Sequence, residues 1–161
     1  MKFYKQSVKT FLGYLSFIYT KDYLYQISFG KTFKLNKYIE NDINSIKEDS
    51  GNNIYTKEVL EYLDGKRKQF DIPINLIGSE FSMRVWEELL KVEYGKLETY
   101  KNIALKVGGA RYSRAVGMAN GKNPIPIIIP CHRIIKSNGD LGGYSSGLDI
   151  KKKLLKIETN K

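Results

Sequence analysis

The segment Asn123-Pro124-Ile125-Pro126-Ile127-Ile128-Ile129-Pro130-Cys131-His132-Arg133 constrains this chain more than any other. Its apolar centre, residues 125–129, is too short to cross a membrane and is bounded by prolines, which cannot sit inside a helix. That pattern predicts a short buried strand. Near its end stand the chain's one cysteine and one histidine. A single cysteine excludes an intramolecular disulfide, and a structural zinc would need about four ligands, so no metal site is expected. Most free cysteines are small buried hydrophobes. The adjacent His132, the flanking prolines and a basic helical stretch just upstream favour a reaction centre at Cys131 instead.

Around this segment the 161 residues have room for one ordinary domain or two small ones, and a 42% hydrophobic content suffices for a core. The pattern predicts an α+β chain with a boundary near residue 75. Residues 10–19 and 23–29 are β-rich runs around a turn-like Lys21-Asp22, which predicts a hairpin. Residues 41–50 are polar, and residues 49–53 read as loop. Residues 56–63 carry Val59, Leu60 and Leu63 at helical spacing and stop at Gly65. Residues 66–75 read as an extended linker carrying Pro73.

The second part, residues 76–161, opens with a helix over residues 81–92 that buries Phe81, Val85, Trp86 and Leu89. A short helix over residues 99–107, with Thr99 as N-cap, is broken by Gly108-Gly109, and residues 110–120 form another. Helix, glycine turn and helix at this length is the helix-turn-helix pattern. A glycine-rich turn over residues 139–147 and a last helix reaching Glu158 complete a winged-helix-like domain.

Net charge is +10, unevenly placed: residues 1–75 carry 12 basic and 9 acidic side chains, residues 76–161 carry 15 and 8. A basic surplus in one half points to a polyanion partner for that half. At 100° per residue Ala110, Arg114, Gly117 and Gly121 share one face of the second helix. One arginine among residues with almost no side chain suits close backbone approach to a shallow or narrow groove. A major-groove reader would present several long polar side chains. No membrane partner is expected, since no stretch approaches a membrane span. Met1-Lys2-Phe3-Tyr4-Lys5 leads into no signal-peptide core, and the free thiol suggests a reducing cytoplasm.

Glu158 is singled out by the last helix. Ile150, Leu154, Leu155 and Ile157 define an apolar arc, and Glu158 falls within it, where a carboxylate must be paired. His132 is its natural partner, as the acid orients the imidazole in a Ser-His-Asp triad. Lys151 lies on the same arc and is expected to snorkel outwards. Cys131 and His132, adjacent in an extended segment, would point apart, so a bridging water is the simpler link between them.

These residues resemble the active-site signature of the O6-alkylguanine-DNA alkyltransferases, or methylated-DNA–protein-cysteine methyltransferases. The likeness extends to Phe81 with Val85-Trp86, Thr99-Tyr100, Arg114-Ala115-Val116-Gly117, and Gly143-Tyr144-Ser145 through Glu158. It reaches more weakly to Tyr62-Leu63-Asp64-Gly65-Lys66-Arg67 and Phe70-Asp71-Ile72-Pro73. The resemblance implies a small ribonuclease-H-like α/β N-terminal domain without catalytic duties. It implies a monomer that binds double-stranded DNA through the minor groove and flips the lesion out of the stack. The alkyl group would then move irreversibly to Cys131, once per molecule, without cofactor or metal. By resemblance Cys131, His132 and Glu158 form a thiol–water–histidine–carboxylate relay, and Asn123 is a hinge. Tyr100 promotes rotation of the nucleotide. Arg114 enters the stack, with Ala110, Ala115 and Gly117 beside it on the DNA. Pro126, Ile134, Tyr144 and Ser145 wall the guanine pocket. Asn120-Gly121-Lys122, ahead of the hinge, is more polar than in some relatives. Two rivals stand beside this reading: a DNA-binding module without chemistry, and a thiol hydrolase using Cys131, His132 and Glu158.

Overall fold

The computed structural model describes residues 1–41 and 46–159, and the chain divides into two compact units, Met1–Ile77 and Gly78–Lys161. It is a mixed α+β protein.

The first unit is built on a four-stranded sheet. Its strands are β1 (Phe3–Thr10), β2 (Gly13–Tyr19), β3 (Leu24–Phe29) and β4 (Ile46–Glu48), in the order β3-β2-β1-β4. The expected hairpin around Lys21-Asp22 is β2 and β3, paired antiparallel with Phe17 opposite Ile27. The run over residues 10–19 is not one strand, because residues 10–13 turn. Thr10 Oγ1 accepts from the Leu12 amide at 3.0 Å and donates to the Gly13 carbonyl at 2.8 Å, while Gly13 adopts φ 92°. Sequence reasoning missed β1. Its alternation is blurred because Gln6, on a buried face, is satisfied by polar partners: Nε2 donates to Gly51 and Oε1 accepts from Asn53.

Residues 46–48, in the stretch noted only as polar, form β4 parallel to β1, while residues 42–45 of that stretch lie outside the described residues. Helix α1 (Ile54–Leu63) begins at Asn53, whose side chain caps the Thr56 amide, and buries Tyr55, Val59, Tyr62 and Leu63. The stretch carrying Pro73 runs along β3 for one bridge, Leu24 to Ile74. Phe3, Ile18, Tyr25 and Ile39 form a core cluster.

The second unit contains α2 (Glu80–Leu90), β5 (Glu98–Thr99), α3 (Tyr100–Val107), α4 (Ser113–Gly121), β6 (Ile134–Ile135) and α5 (Leu148–Thr159). Val85, Trp86 and Leu89 are buried on α2 as expected. Phe81 is half-buried and instead packs its ring on Tyr112, 5.7 Å away. The Trp86 indole donates to the Ala119 carbonyl at 2.9 Å, which fastens α2 to α4. Thr99 caps α3 through the Asn102 amide, and Gly108 and Gly109 take φ 149° and 142°, which a side chain would resist. The next helix begins later than residue 110. Ala110–Tyr112 is a single 3₁₀ turn, and α-helix starts at Ser113.

Candidate active site

The proline-rich segment is not a strand. Prolines at 124, 126 and 130 remove three donors, so a ladder cannot form there. The chain instead folds into a buried turn with a lone bridge between Pro126 and Ile129. Ile125, Ile127 and Ile129 are fully buried, and Ile127 adopts φ 77°, the left-handed region a β-branched residue avoids. The Asn123 side chain holds both ends. Its Oδ1 accepts from the Ile125 amide at 2.9 Å, and its Nδ2 donates to the Ile129 carbonyl at 2.8 Å. A strained turn persists where its surroundings over-determine it, and here it fixes the peptide that leads into Cys131.

Cys131–Arg133 is then a 3₁₀ turn rather than an extended segment, and all three side chains are buried. His132 Nε2 lies 2.8 Å from Oε1 of Glu158. Glu158 is buried, as its place in the apolar arc predicts, and it is held by more than the histidine. Arg133 donates through Nε (3.0 and 3.2 Å) and Nη2 (2.9 Å), and the Gly95 amide donates to Oε2 at 3.1 Å. Arg133 also donates through Nη1 to the Val92 carbonyl. Sequence reasoning passed over Arg133. The signal was there, because a buried carboxylate so near the end of α5 needs a cation as well as a neutral imidazole. Burial lowers the His132 pKa, with Glu158 opposing. The neutral ring donates a hydrogen bond from its Nε2–H to Glu158, which leaves Nδ1 as the basic nitrogen.

Burial also pushes the Cys131 thiol up, opposed by hydrogen bonds with Asn123 and Tyr144, the charge of Lys151 and a backbone hydrogen bond at Cys131 itself. Lys151 does not snorkel. It is fully buried, its Nζ donating to the carbonyls of Ile134 (2.6 Å), Leu141 and Gly143, and burial lowers its pKa to about 8. Lys151, Leu154 and Glu158, on one stripe of α5, therefore face the interior together.

Beside this cluster opens a cleft of about 540 Å³, lined by Tyr100, Arg114 and Gly117 on one side of the sequence and by Lys136 and Gly142–Ser145 on the other. Tyr144 links the two places, its hydroxyl lying 3.9 Å from Cys131 Sγ. Ser145 lines the cleft; Pro126 and Ile134 are buried and are not among its lining residues. The parallel pairing of Glu98 with Ile134 sets the start of α3, and with it Tyr100, beside the strand that follows Cys131. Tyr100 is half-buried and packs against Gly142, where a Cβ would come within 3.1 Å of its ring.

Arg114 is exposed on α4. A methyl group at Gly121 would meet nothing within 4 Å, and at Gly117 only the Tyr100 ring at 4.0 Å, so internal packing does not require glycine at either position. Ala110 is exposed on the preceding 3₁₀ turn, and Ala115 is half-buried. Asn120, which sequence reasoning noted only as polar, is buried and donates through Nδ2 to the Cys131 carbonyl at 3.3 Å.

Residues 80–160 match the family described as 6-O-methylguanine DNA methyltransferase, DNA binding domain. A methylated-DNA–protein-cysteine methyltransferase of Methanosarcina barkeri is 50% identical over 104 residues, 65% of this chain and 66% of that protein. The inducible methylated-DNA–protein-cysteine methyltransferase of Bacillus subtilis is 40% identical over 113 residues, 70% of this chain and 63% of that protein. The chain thus spans just under two thirds of the length of these curated relatives. A crystal structure of Mycobacterium tuberculosis OGT in complex with DNA is similar across 96% of this chain and 92% of that one, at 31% identity and a TM-score of 0.86. With half the chain matched by the family's DNA-binding domain, and nearly all of it by a solved relative, this protein belongs to the O6-methylguanine-DNA methyltransferase family.

Proposed function

We propose that this protein repairs DNA by moving the alkyl group of an O6-alkylguanine onto Sγ of its own Cys131. The observation that carries the reading is the contact of Tyr144 with Cys131 Sγ, which joins a buried thiol to a cleft also lined by the α4 residues Arg114 and Gly117. The cleft's volume suits a small ligand or one extrahelical nucleoside. Guanine O6 lies inside the stack of a duplex, so the nucleotide has to rotate out to reach the thiol. Arg114 fills the gap it leaves, and Tyr100 crowds the backbone to drive the rotation.

A buried thiol is a poor nucleophile until it loses its proton. Nε2 of His132 is committed to Glu158, so the base facing Cys131 is Nδ1, acting through a water. Glu158 orients the ring and stabilises the imidazolium; Arg133 and the Gly95 amide in turn hold Glu158. Asn123, Tyr144 and the Lys151 charge lower the cost of the thiolate. Sγ then attacks the alkyl carbon, a C–S bond forms and the C–O6 bond breaks. The electron pair leaves on the guanine, which takes up a proton. The product is a thioether, and with no second cysteine to accept the group each molecule acts once.

DNA as partner is supported by the relative crystallised with it. We place the contact in the minor groove, because α4 offers one long side chain among small ones, and read the protein as a cytoplasmic monomer. The finer architecture belongs to the same reading: a ribonuclease-H-like first domain without catalytic duties over residues 1–75, and a winged-helix-like second one over residues 76–161. Incubation with O6-benzylguanine followed by intact-protein mass measurement tests it. Wild type should gain one benzyl group and Cys131→Ser none; an unmodified wild type would refute the proposal.

A further inference from the structure

The cleft carries positive charge that the protein itself does not balance. Arg114 on α4 and Lys136, just past β6, both line it and both are exposed, and no aspartate or glutamate is among its lining residues. Among the described residues neither cation has an ion-pair partner. Asp140, the carboxylate nearest Lys136 in sequence, is held instead by Asn138, whose Nδ2 donates to Oδ2 at 3.0 Å. Lys136 stands at a fixed place. The parallel register of β5 with β6, Glu98 with Ile134 and Thr99 with Ile135, ends where Tyr100 and Lys136 begin, and both of these line the cleft. The Lys136 amide donates to the Asp140 carbonyl at 2.8 Å, and its carbonyl accepts from the Gly139 amide at 3.0 Å. With both main-chain groups engaged in the turn, its ammonium, on a flexible four-carbon stem, is the group left for a guest.

We propose that Lys136 is a positioning residue that binds a phosphate flanking the extrahelical nucleotide and so holds that nucleotide in the cleft. This rests on the reading of the cleft as an O6-alkylguanine pocket. A nucleotide that rotates out of a duplex stays joined to it by a phosphodiester on either side, so anionic groups arrive at the cleft with every base that enters. Lysine meets a phosphate as a point charge, and one without a carboxylate partner gives up no ion pair to do so. Arg114 fills the gap in the stack, which leaves Lys136, across the cleft in the segment that follows β6, to hold the backbone of the nucleotide that has left. Lys136 touches neither the alkyl carbon nor Sγ. It therefore speeds transfer from substrates that carry a phosphate and not from those that lack one.

The test compares rates of benzyl transfer from O6-benzyl-2′-deoxyguanosine and from its 3′,5′-bisphosphate. Wild type should react faster with the bisphosphate, and in Lys136→Gln that advantage should shrink by about twofold to fivefold, the worth of an exposed ion pair, with the nucleoside rate unchanged. Lys136→Arg should keep the advantage. Lys153→Gln removes the same charge from an exposed residue of α5 that does not line the cleft, and it should keep the advantage too. Both rates come from one preparation, so their ratio does not depend on the fraction folded, and a purely structural role would slow both substrates equally. The inference is overturned by a wild type indifferent to the phosphates or by a Lys136→Gln ratio equal to that of wild type. It is equally overturned by a loss in Lys153→Gln or Lys136→Arg as large as that in Lys136→Gln. All of these leave the alkyl-transfer reading intact, whereas a wild type modified by neither compound overturns that reading itself.

Discussion

Glu158→Gln removes one charge from the buried cluster at nearly constant volume, and its consequence can be worked from the contacts. Oε1 receives His132 Nε2 and two Arg133 N–H groups, and Oε2 receives the Gly95 amide and Arg133 Nε. A glutamine keeps one acceptor and puts an NH₂ group in place of the other. If the oxygen stays with His132, the new NH₂ faces the Gly95 and Arg133 donors; if it flips, it faces His132 and Arg133. Either way a donor is left without an acceptor, at roughly 1–3 kcal/mol. Arg133 also loses its counter-charge while remaining buried, and breaking such a pair by removing one partner costs about 3–5 kcal/mol in all. For a chain of this length that lowers Tm by roughly 6–20 °C. Urea denaturation followed by the fluorescence of Trp86, the chain's one tryptophan and buried in the same unit, measures the loss directly. The double variant Arg133→Met/Glu158→Leu should be more stable than Glu158→Leu alone, since neither charge is then stranded. A loss below about 1 kcal/mol for Glu158→Gln, the worth of a surface ion pair, would refute the account of a desolvated anchor.

Other consequences follow from the same geometry. Because burial holds the folded His132 pKa below its ordinary value near 6.5, the unfolded chain binds more protons between those two values. This contribution to stability is therefore complete above about pH 6.5 and is lost as pH falls towards the folded value. His132→Gln should flatten that acid limb in a pH series of denaturation curves. Gly142→Ala places a Cβ 3.1 Å from the Tyr100 ring at φ +72°. It should cost about 1–2 kcal/mol from the left-handed backbone alone and slow transfer by displacing Tyr100; an unchanged rate would show that the contact does not position that ring. Arg114→Ala, at an exposed site, should change stability by no more than about 0.5 kcal/mol yet sharply reduce repair of duplex DNA. Undiminished duplex repair would remove Arg114 from the mechanism.

The parts of the fold legible in the sequence were those written in side-chain chemistry. Thr99 as a cap, the Gly108-Gly109 break, the buried face of α2 and the place of Glu158 in an apolar arc all follow from local pattern. What stayed illegible depended on hydrogen bonds that form only in the folded chain, most of them to partners distant in sequence. The isoleucine run has the composition of a strand, but its prolines leave too few donors, and Asn123 supplies the bonds that hold it as a turn. Lys151 looked free to snorkel because three carbonyls, of Ile134, Leu141 and Gly143, converge on it only once the loop is folded. β1 escaped notice because a buried glutamine in it pairs with Gly51 and Asn53, more than forty positions away. Arg133 was overlooked because its carboxylate lies 25 positions along the chain.

The most direct test of the central claim is a titration of the protein with excess duplex carrying radiolabelled O6-methylguanine, read as methyl groups per chain and located by peptide mapping. The account predicts a plateau at one methyl group, on the peptide containing Cys131, because the thioether cannot be displaced by His132, Glu158 or water. Turnover that continues linearly past that ratio, or a label on any other residue, would contradict it.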